Sequence, residues 1–153
     1  MSCPPGQFFS WYEVNHSATA DARGIENLAG PDAQLAAMAW AQNFGDPLRR
    51  ALGRPVGVTS WFRSPELNVR IGGSSGSQHC RGEAVDIHVA GLTAHQIVQV
   101  VLQEGIPFDQ IIGYTSRPGA PQLHVSFTTR RANRKSMLWS PSKKVYLPWN
   151  LTP

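Results

Sequence analysis

Two short stretches carry residue types from which a mononuclear metal site can be built. One is Ser77-Gln78-His79-Cys80-Arg81-Gly82-Glu83-Ala84-Val85-Asp86-Ile87-His88, and the other is Gln122-Leu123-His124-Val125-Ser126-Phe127. His79 and Asp86 stand seven residues apart across a turn of small residues, and His124 returns from further along the chain. Zinc takes nitrogen, oxygen or sulfur ligands in tetrahedral geometry, and a catalytic zinc keeps one position open. Two imidazoles and one carboxylate leave that position free. Cys80 is a rival donor, but adjacent residues rarely both reach one metal, and it reads as a small buried thiol. From pattern alone the alternative stays open that each histidine is a hydrogen-bonded structural residue.

The elements that must deliver these side chains are visible in the alternation. In Ala84-Val85-Asp86-Ile87-His88-Val89, every second residue shares a strand face, so Ala84, Asp86 and His88 lie together. Gln122, His124 and Ser126 alternate with Leu123, Val125 and Phe127 in the same way. Two half-buried strands can thus present Asp86 and His124 to one point. Gly82 lets the backbone turn so that His79 reaches it too. His88 reads as a supporting or structural residue. Val56 to Phe62 reads as a strand, with Arg63 at its end. Ser64 and Pro65 open a short helix as N-cap and first helical residue, and the glycines at 72 and 73 end it.

Pro31 starts a helix to about Leu52. Its apolar stripe is Leu35, Met38, Ala39, Phe44, Leu48 and Leu52, and Pro47 should kink or split it. Thr93 caps a helix through Glu104, with Ile97, Val100 and Val101 inward and His95 towards solvent; Gly105 ends it. Phe108 to Tyr114 is a further strand, and Thr115 to Pro121 is a loop at the mouth of the site. Residues 1 to 7 read as a loose arm. Phe8, Phe9, Trp11 and Tyr12 read as an aromatic cluster capping the core, and His16 as a loop residue.

Ser77-x-His79-x-x-Gly82-x-Ala84-x-Asp86, followed by a Leu-His-Val-Ser-Phe strand, closely resembles the M15 family of zinc peptidases. These are the D-alanyl-D-alanine carboxypeptidases and L-alanyl-D-glutamate endopeptidases of bacteria and phages. Thr59 to Asn68 is similar to that family's Ser-Gly-Tyr-Arg-Ser segment, with Trp61 in place of the usual glycine, which is expected to narrow the cleft. Gly72-Gly73-Ser74, Phe108-Asp109-Gln110-Ile111-Ile112 and the stretch from Phe9 to Asn27 agree as well, so the likeness spans residues 8 to 127. The resemblance implies a Hedgehog/DD-peptidase-like α+β fold: a small, mainly antiparallel sheet with helices on one face and the metal on the other. It implies Zn2+ held by His79, Asp86 and His124, with Arg63 facing the site to hold a substrate carboxylate or carbonyl. A guanidinium fork suits that role. The family's general base is an Asp or Glu three residues before the last histidine. Here that position is Pro121, with Gln122 beside it, and neither is a base. Asp109 on the neighbouring strand is the expected substitute, although the resemblance also allows Asp109-Gln110 to be structural, and Glu83 inside the motif is the other carboxylate.

Composition sets the frame. A chain of 153 residues, 41% hydrophobic and 16% charged, suits one globular core. No apolar run approaches the roughly 18 residues of a membrane span. Met1-Ser2-Cys3-Pro4-Pro5-Gly6 lacks a basic region followed by an apolar one, so no signal peptide is read and synthesis in a bacterial host cytoplasm is expected. Two cysteines, Cys3 and Cys80, do not make a disulfide framework. Residues 1 to 127 hold eight arginines, no lysine and all ten acids, whereas residues 128 to 153 hold six basic residues and no acid. The net charge of +4 therefore comes from the tail. Such a tail attracts polyanions, or serves as a solvated or docking arm carrying Trp139, Tyr146 and Trp149.

The expected organisation is a zinc peptidase-like domain over residues 1–127 and a basic, aromatic extension over 128–153. The expected function is zinc-dependent cleavage of peptidoglycan stem peptides by a phage-encoded wall hydrolase, acting at the cell wall or borne on the virion. The alternative is a non-catalytic virion structural or wall-binding module on the same fold, with virion proteins as partners. Nucleic acid is expected as a partner only through salt-sensitive contact with the tail.

Overall fold

The computed structural model describes residues 3–151. Six strands form one sheet in the order β1-β2-β4-β3-β5-β6: β1 is Gly57–Ser60, β2 Ala84–His88, β3 Gln110–Tyr114, β4 Leu123–Ser126, β5 Ser136–Ser142 and β6 Val145–Pro148. All neighbours are antiparallel except β3 and β5. The fold is thus the expected small α+β fold.

The register sorts the side chains into two faces. Asp86 of β2 lies opposite His124 of β4, which lies opposite Ile112 of β3. The alternate residues, Val85, Ile87, Ile111, Leu123 and Val125, are buried in the core. They pack with the helices α3 (Pro31–Trp40), α4 (Asp46–Leu52) and α6 (Ala94–Gln103). The core face excludes water while the other face is free to carry polar chemistry.

The long helix is interrupted as Pro47 demands. A π-helical segment, Ala41–Gly45, joins α3 to α4, and Pro47 falls in the first turn of α4, where its missing N–H costs little. Its buried face differs from the expected stripe. Leu35 is exposed, while Ala33, Ala37, Trp40, Ala41, Phe44 and Leu48 are buried. The reason is a close backbone approach: Gly82 lies against the carbonyl of Ala33, so this stretch of α3 carries small residues.

Other expectations are corrected at the N-terminus. Residues 3 to 7 are not a loose arm throughout. Pro5 and Gly6 are buried, and Gln7 and Phe8 donate their backbone N–H groups to the buried carboxylate of Asp46; Met1 and Ser2 lie outside the described residues. Of the four aromatics, only Phe9 is in the core, packed edge-on against Trp40 and Trp61, while Phe8 and Tyr12 are exposed. Short helices α1 (Trp11–Asn15) and α2 (Ala18–Arg23) follow, capped by Ser10 and Ser17, and α5 (Pro65–Arg70) is capped by Ser64. Residues 128–151 are neither detached nor merely solvated: they supply β5 and β6 and seat Trp149 against Trp139. Among the described residues no helix is long and apolar enough to cross a membrane.

Gly82 has φ +74 and ends a 3-10 turn, Gln78–Arg81, in the left-handed region. A methyl group there would enter the Ala33 carbonyl. Gly82→Ala should lower stability by about 2–4 kcal/mol, from left-handed strain plus overpacking. Urea denaturation measures it; a change below about 0.5 kcal/mol would mean that α3 yields freely.

Candidate metal centre

The three suspected ligands converge. His79 Nε2, His124 Nδ1 and Asp86 Oδ1 form a near-equilateral triangle with edges of 3.2 Å between the histidines, 3.3 Å from His79 to Asp86 and 3.0 Å from His124 to Asp86. A tetrahedral ion with bonds of about 2.0–2.1 Å requires donor–donor edges of about 3.3 Å. The donor set and spacing therefore fit zinc without rearrangement.

The hydrogen bonds behind the triangle explain why it needs a cation. His79 Nδ1 lies 2.7 Å from the carbonyl oxygen of Trp61. A carbonyl only accepts, so Nδ1 carries the proton and Nε2 presents a lone pair. Burial pushes the His79 pKa below its ordinary value despite the attraction of Asp86, which keeps the ring neutral. Its lone pair then faces the carboxylate oxygen of Asp86. Two acceptors in contact inside a protein are stable only with a cation between them.

Each ligand is fixed by its own element. Asp86 and His124 are cross-strand partners on β2 and β4. His79 sits in the 3-10 turn, whose N-cap Ser77 accepts from the His79 backbone N–H. The turn is fastened to the segment after β1: Trp61 Nε1 donates to the Gly82 carbonyl, and the Arg63 N–H donates to the His79 carbonyl. Trp61 is fully buried, so it supports His79 from behind and does not narrow the cleft as expected.

Arg63 is next to the triad. Its Nη2 is 3.2 Å from Asp86 Oδ2 and its Nε bonds Ser60 Oγ. Asp86 thus turns one oxygen to the metal position and the other to the guanidinium. Asn27 holds the chain on either side of Arg63: its amide donates to the Phe62 carbonyl and its oxygen accepts from the Ser64 N–H. Sequence reasoning missed that role, although Asn27 lies in one of the matching stretches.

The triad opens into a cleft of about 570 Å³. A second cleft, about 440 Å³, joins it at Arg63, Asp86 and Pro121. Among the described residues Asp86 is the one carboxylate that lines either. Asp109 does not. It is fully buried and bound by Arg131 (2.6 and 3.1 Å) and Arg134 (2.8 Å), and its pKa is held well below the usual range by those bonds, against the opposing effect of burial. A carboxylate so paired is a poor base, which corrects the expectation for Asp109. Glu83 is likewise engaged by Arg130, Thr128 and Gln78, which lower its pKa against burial. Gln122 is tied to Val89 N–H and the Leu92 carbonyl. His88 is exposed at the end of β2. Cys80 is outside the donor cluster, half-buried, and its thiol pKa is pushed up by burial. Tyr114 lines the cleft with its pKa raised by burial and by Asp86, so its phenol is a donor.

This is the arrangement of a metallopeptidase: three protein donors at one corner of an open cleft, with a guanidinium beside them. The model of the family described as Peptidase M15 matches residues 8–118, well over half of the chain, and the protein belongs to that family. His124, β4 and the strands after it lie beyond the matched residues. No curated protein matches the chain.

Two outcomes follow. One equivalent of zinc should bind, and at about 100 times the dissociation constant it should add about 2.7 kcal/mol, or roughly 5–10 °C in Tm. His124→Ala should lose that rise in a thermal melt; an equal rise in the variant would remove His124 from the donor set. Asp109 titrates lower folded than unfolded, so its contribution is full above about pH 4 and fades as the pH falls towards the folded value. Asp109→Asn should cost about 2–3 kcal/mol at neutral pH, with the gap to the parent closing in acid melts below about pH 4. A gap that does not change with pH would contradict this.

Proposed function

We propose that the protein is a zinc-dependent peptidase that cleaves peptidoglycan stem peptides, as the wall hydrolase of a phage. The observation that carries the reading is the donor triangle at 3.0–3.3 Å opening onto an arginine-lined cleft. His79, Asp86 and His124 would hold zinc, which when bound would supply a Lewis acid for the scissile carbonyl and an acidified water. Arg63 engages Oδ2 of Asp86, which leaves Oδ1 turned towards His79 and His124. Arg63, lining both clefts, orients the peptide by a carbonyl or carboxylate and stabilises the developing oxyanion. Tyr114, on the wall of the same cleft, offers its phenol as a donor to a bound peptide. Asp109 takes no part in proton transfer; it anchors Arg131 and Arg134. Residues 1–127 carry the peptidase unit; the extension is residues 128–153, of which Arg130, Arg131, Arg134 and Tyr146 wall one side of the cleft.

One observation favours a second reading, a zinc-binding wall or virion module without turnover. Among the described residues no carboxylate other than Asp86 faces either cleft. Mass spectrometry of muropeptides released from purified peptidoglycan separates the two. The zinc-loaded protein should release products that His124→Ala does not, and their masses identify the bond. No products from several wall types, at one zinc per chain, would establish the second reading.

A further inference from the structure

The two clefts meeting at the metal corner differ in charge. The larger is lined by Arg81, Arg130, Arg131 and Arg134 in addition to Arg63. The smaller, with His16, Ser17, Thr19, Thr59 and Ser60, has Arg63 as its one arginine, shared with the larger. A chain threaded past the triad would leave a neutral, hydroxyl-lined arm and enter a cationic one.

The cationic arm is built rather than incidental. Arg130 bonds Glu83 through Nε and Nη2; Arg131 and Arg134 bond Asp109. Both carboxylates are buried, at 2% and 0% exposure, while the three arginine side chains keep 44%, 39% and 49%. The acids lie beneath and the guanidinium groups face outward. Three cations over two anions leave one positive charge, and Arg81, exposed and without an ion pair among the described residues, adds another. Arg130 Nη1, Arg131 Nε and Arg134 Nη1 donate to no protein acceptor among the described residues. Guanidinium forks already ordered by buried partners lose little entropy when they take a further carboxylate. Gln78 bridges Glu83 and Asp109 from the residue before His79, so the arm is fixed relative to the triad.

We propose that this arm is a carboxylate-binding subsite, selecting peptides that carry free carboxylates on one side of the scissile bond and neutral residues on the other. The proposal rests on the peptidase reading for the position of that bond, but not for the binding itself. A carboxylated peptide fits better than a nucleic acid or polyphosphate. Lys135, Lys143 and Lys144 do not line the cleft, so the charge forms a pocket and not a track.

The test is calorimetric titration of the full chain with the tripeptide L-Ala-γ-D-Glu-L-Lys and its fully amidated form, at fixed ionic strength. His124→Ala serves as a form without turnover. The acidic peptide should bind about tenfold more tightly for each free carboxylate engaged. Arg81→Gln, at an exposed position without an ion pair, should lower the affinity of the acid several-fold and leave the amide unchanged; Arg134→Gln should do so more strongly where it folds. Equal binding of acid and amide would overturn the proposal. So would displacement of the acid by a thymidine decanucleotide at lower concentration, which would make the arm a phosphate site. Acid-over-amide preference together with no products from any peptidoglycan tested would leave the subsite standing and remove the peptidase reading instead.

Discussion

The structure turns on a contact that a protein does not tolerate by itself. The Trp61 carbonyl takes the proton of His79 Nδ1, and so Nε2 meets Asp86 Oδ1 as one acceptor against another, 3.3 Å apart. Much of the local architecture keeps them there. Trp61 is sealed in the core between Phe9 and Trp40, Gly82 turns left-handed against α3, and Asn27 bonds the chain before and after Arg63. Asp86 and His124 have no freedom to part, because they are register partners in the middle of a sheet. Packing and backbone bonds thus hold three lone pairs around a space that one divalent ion satisfies.

The sheet separates this polar arrangement from the packing that supports it. Along β2, β3 and β4 one residue in two points into a closed core and the other towards the cleft, so chemistry and stability draw on different side chains of the same strands. The parallel pairing of β3 with β5 extends that division. It brings the C-terminal strands alongside β3 and leads Arg130, Arg131 and Arg134 to the cleft wall. Glu83, inside the motif, and Asp109, just before β3, are used to hold those arginines.

The faces that carry Asp86 and His124 were legible in the sequence because they obey short-range rules, whereas their meeting with His79 at one point was expected from the family resemblance. Alternation places Asp86 and His124 on the polar face, and a glycine after a histidine-bearing turn provides the bend. The antiparallel core and the capped helices were legible for the same reason: Ser64 and Thr93 bond the first turns they precede. What failed depended on partners remote in sequence. Leu35 fits a helical stripe but lies exposed, because α3 meets Gly82 through small residues. Trp61 stands where a cleft-lining residue was expected, yet its ring turns inward to the core. Asp109 looked like a free carboxylate because the arginines that bind it are 22 and 25 residues away.

The basic tail shows the same limit with a functional consequence. Read linearly, six basic residues and no acid describe an arm for polyanions. Folded, the six divide. Three arginines stand over buried carboxylates at the wall of the metal cleft, while the three lysines lie outside it. The division follows residue chemistry. A planar fork can bond a carboxylate beneath and still offer N–H groups outward, whereas an ammonium is a compact, strongly hydrated charge. Charge that is diffuse in the sequence becomes directional in the fold, and it is directed at the corner where His79, Asp86 and His124 meet.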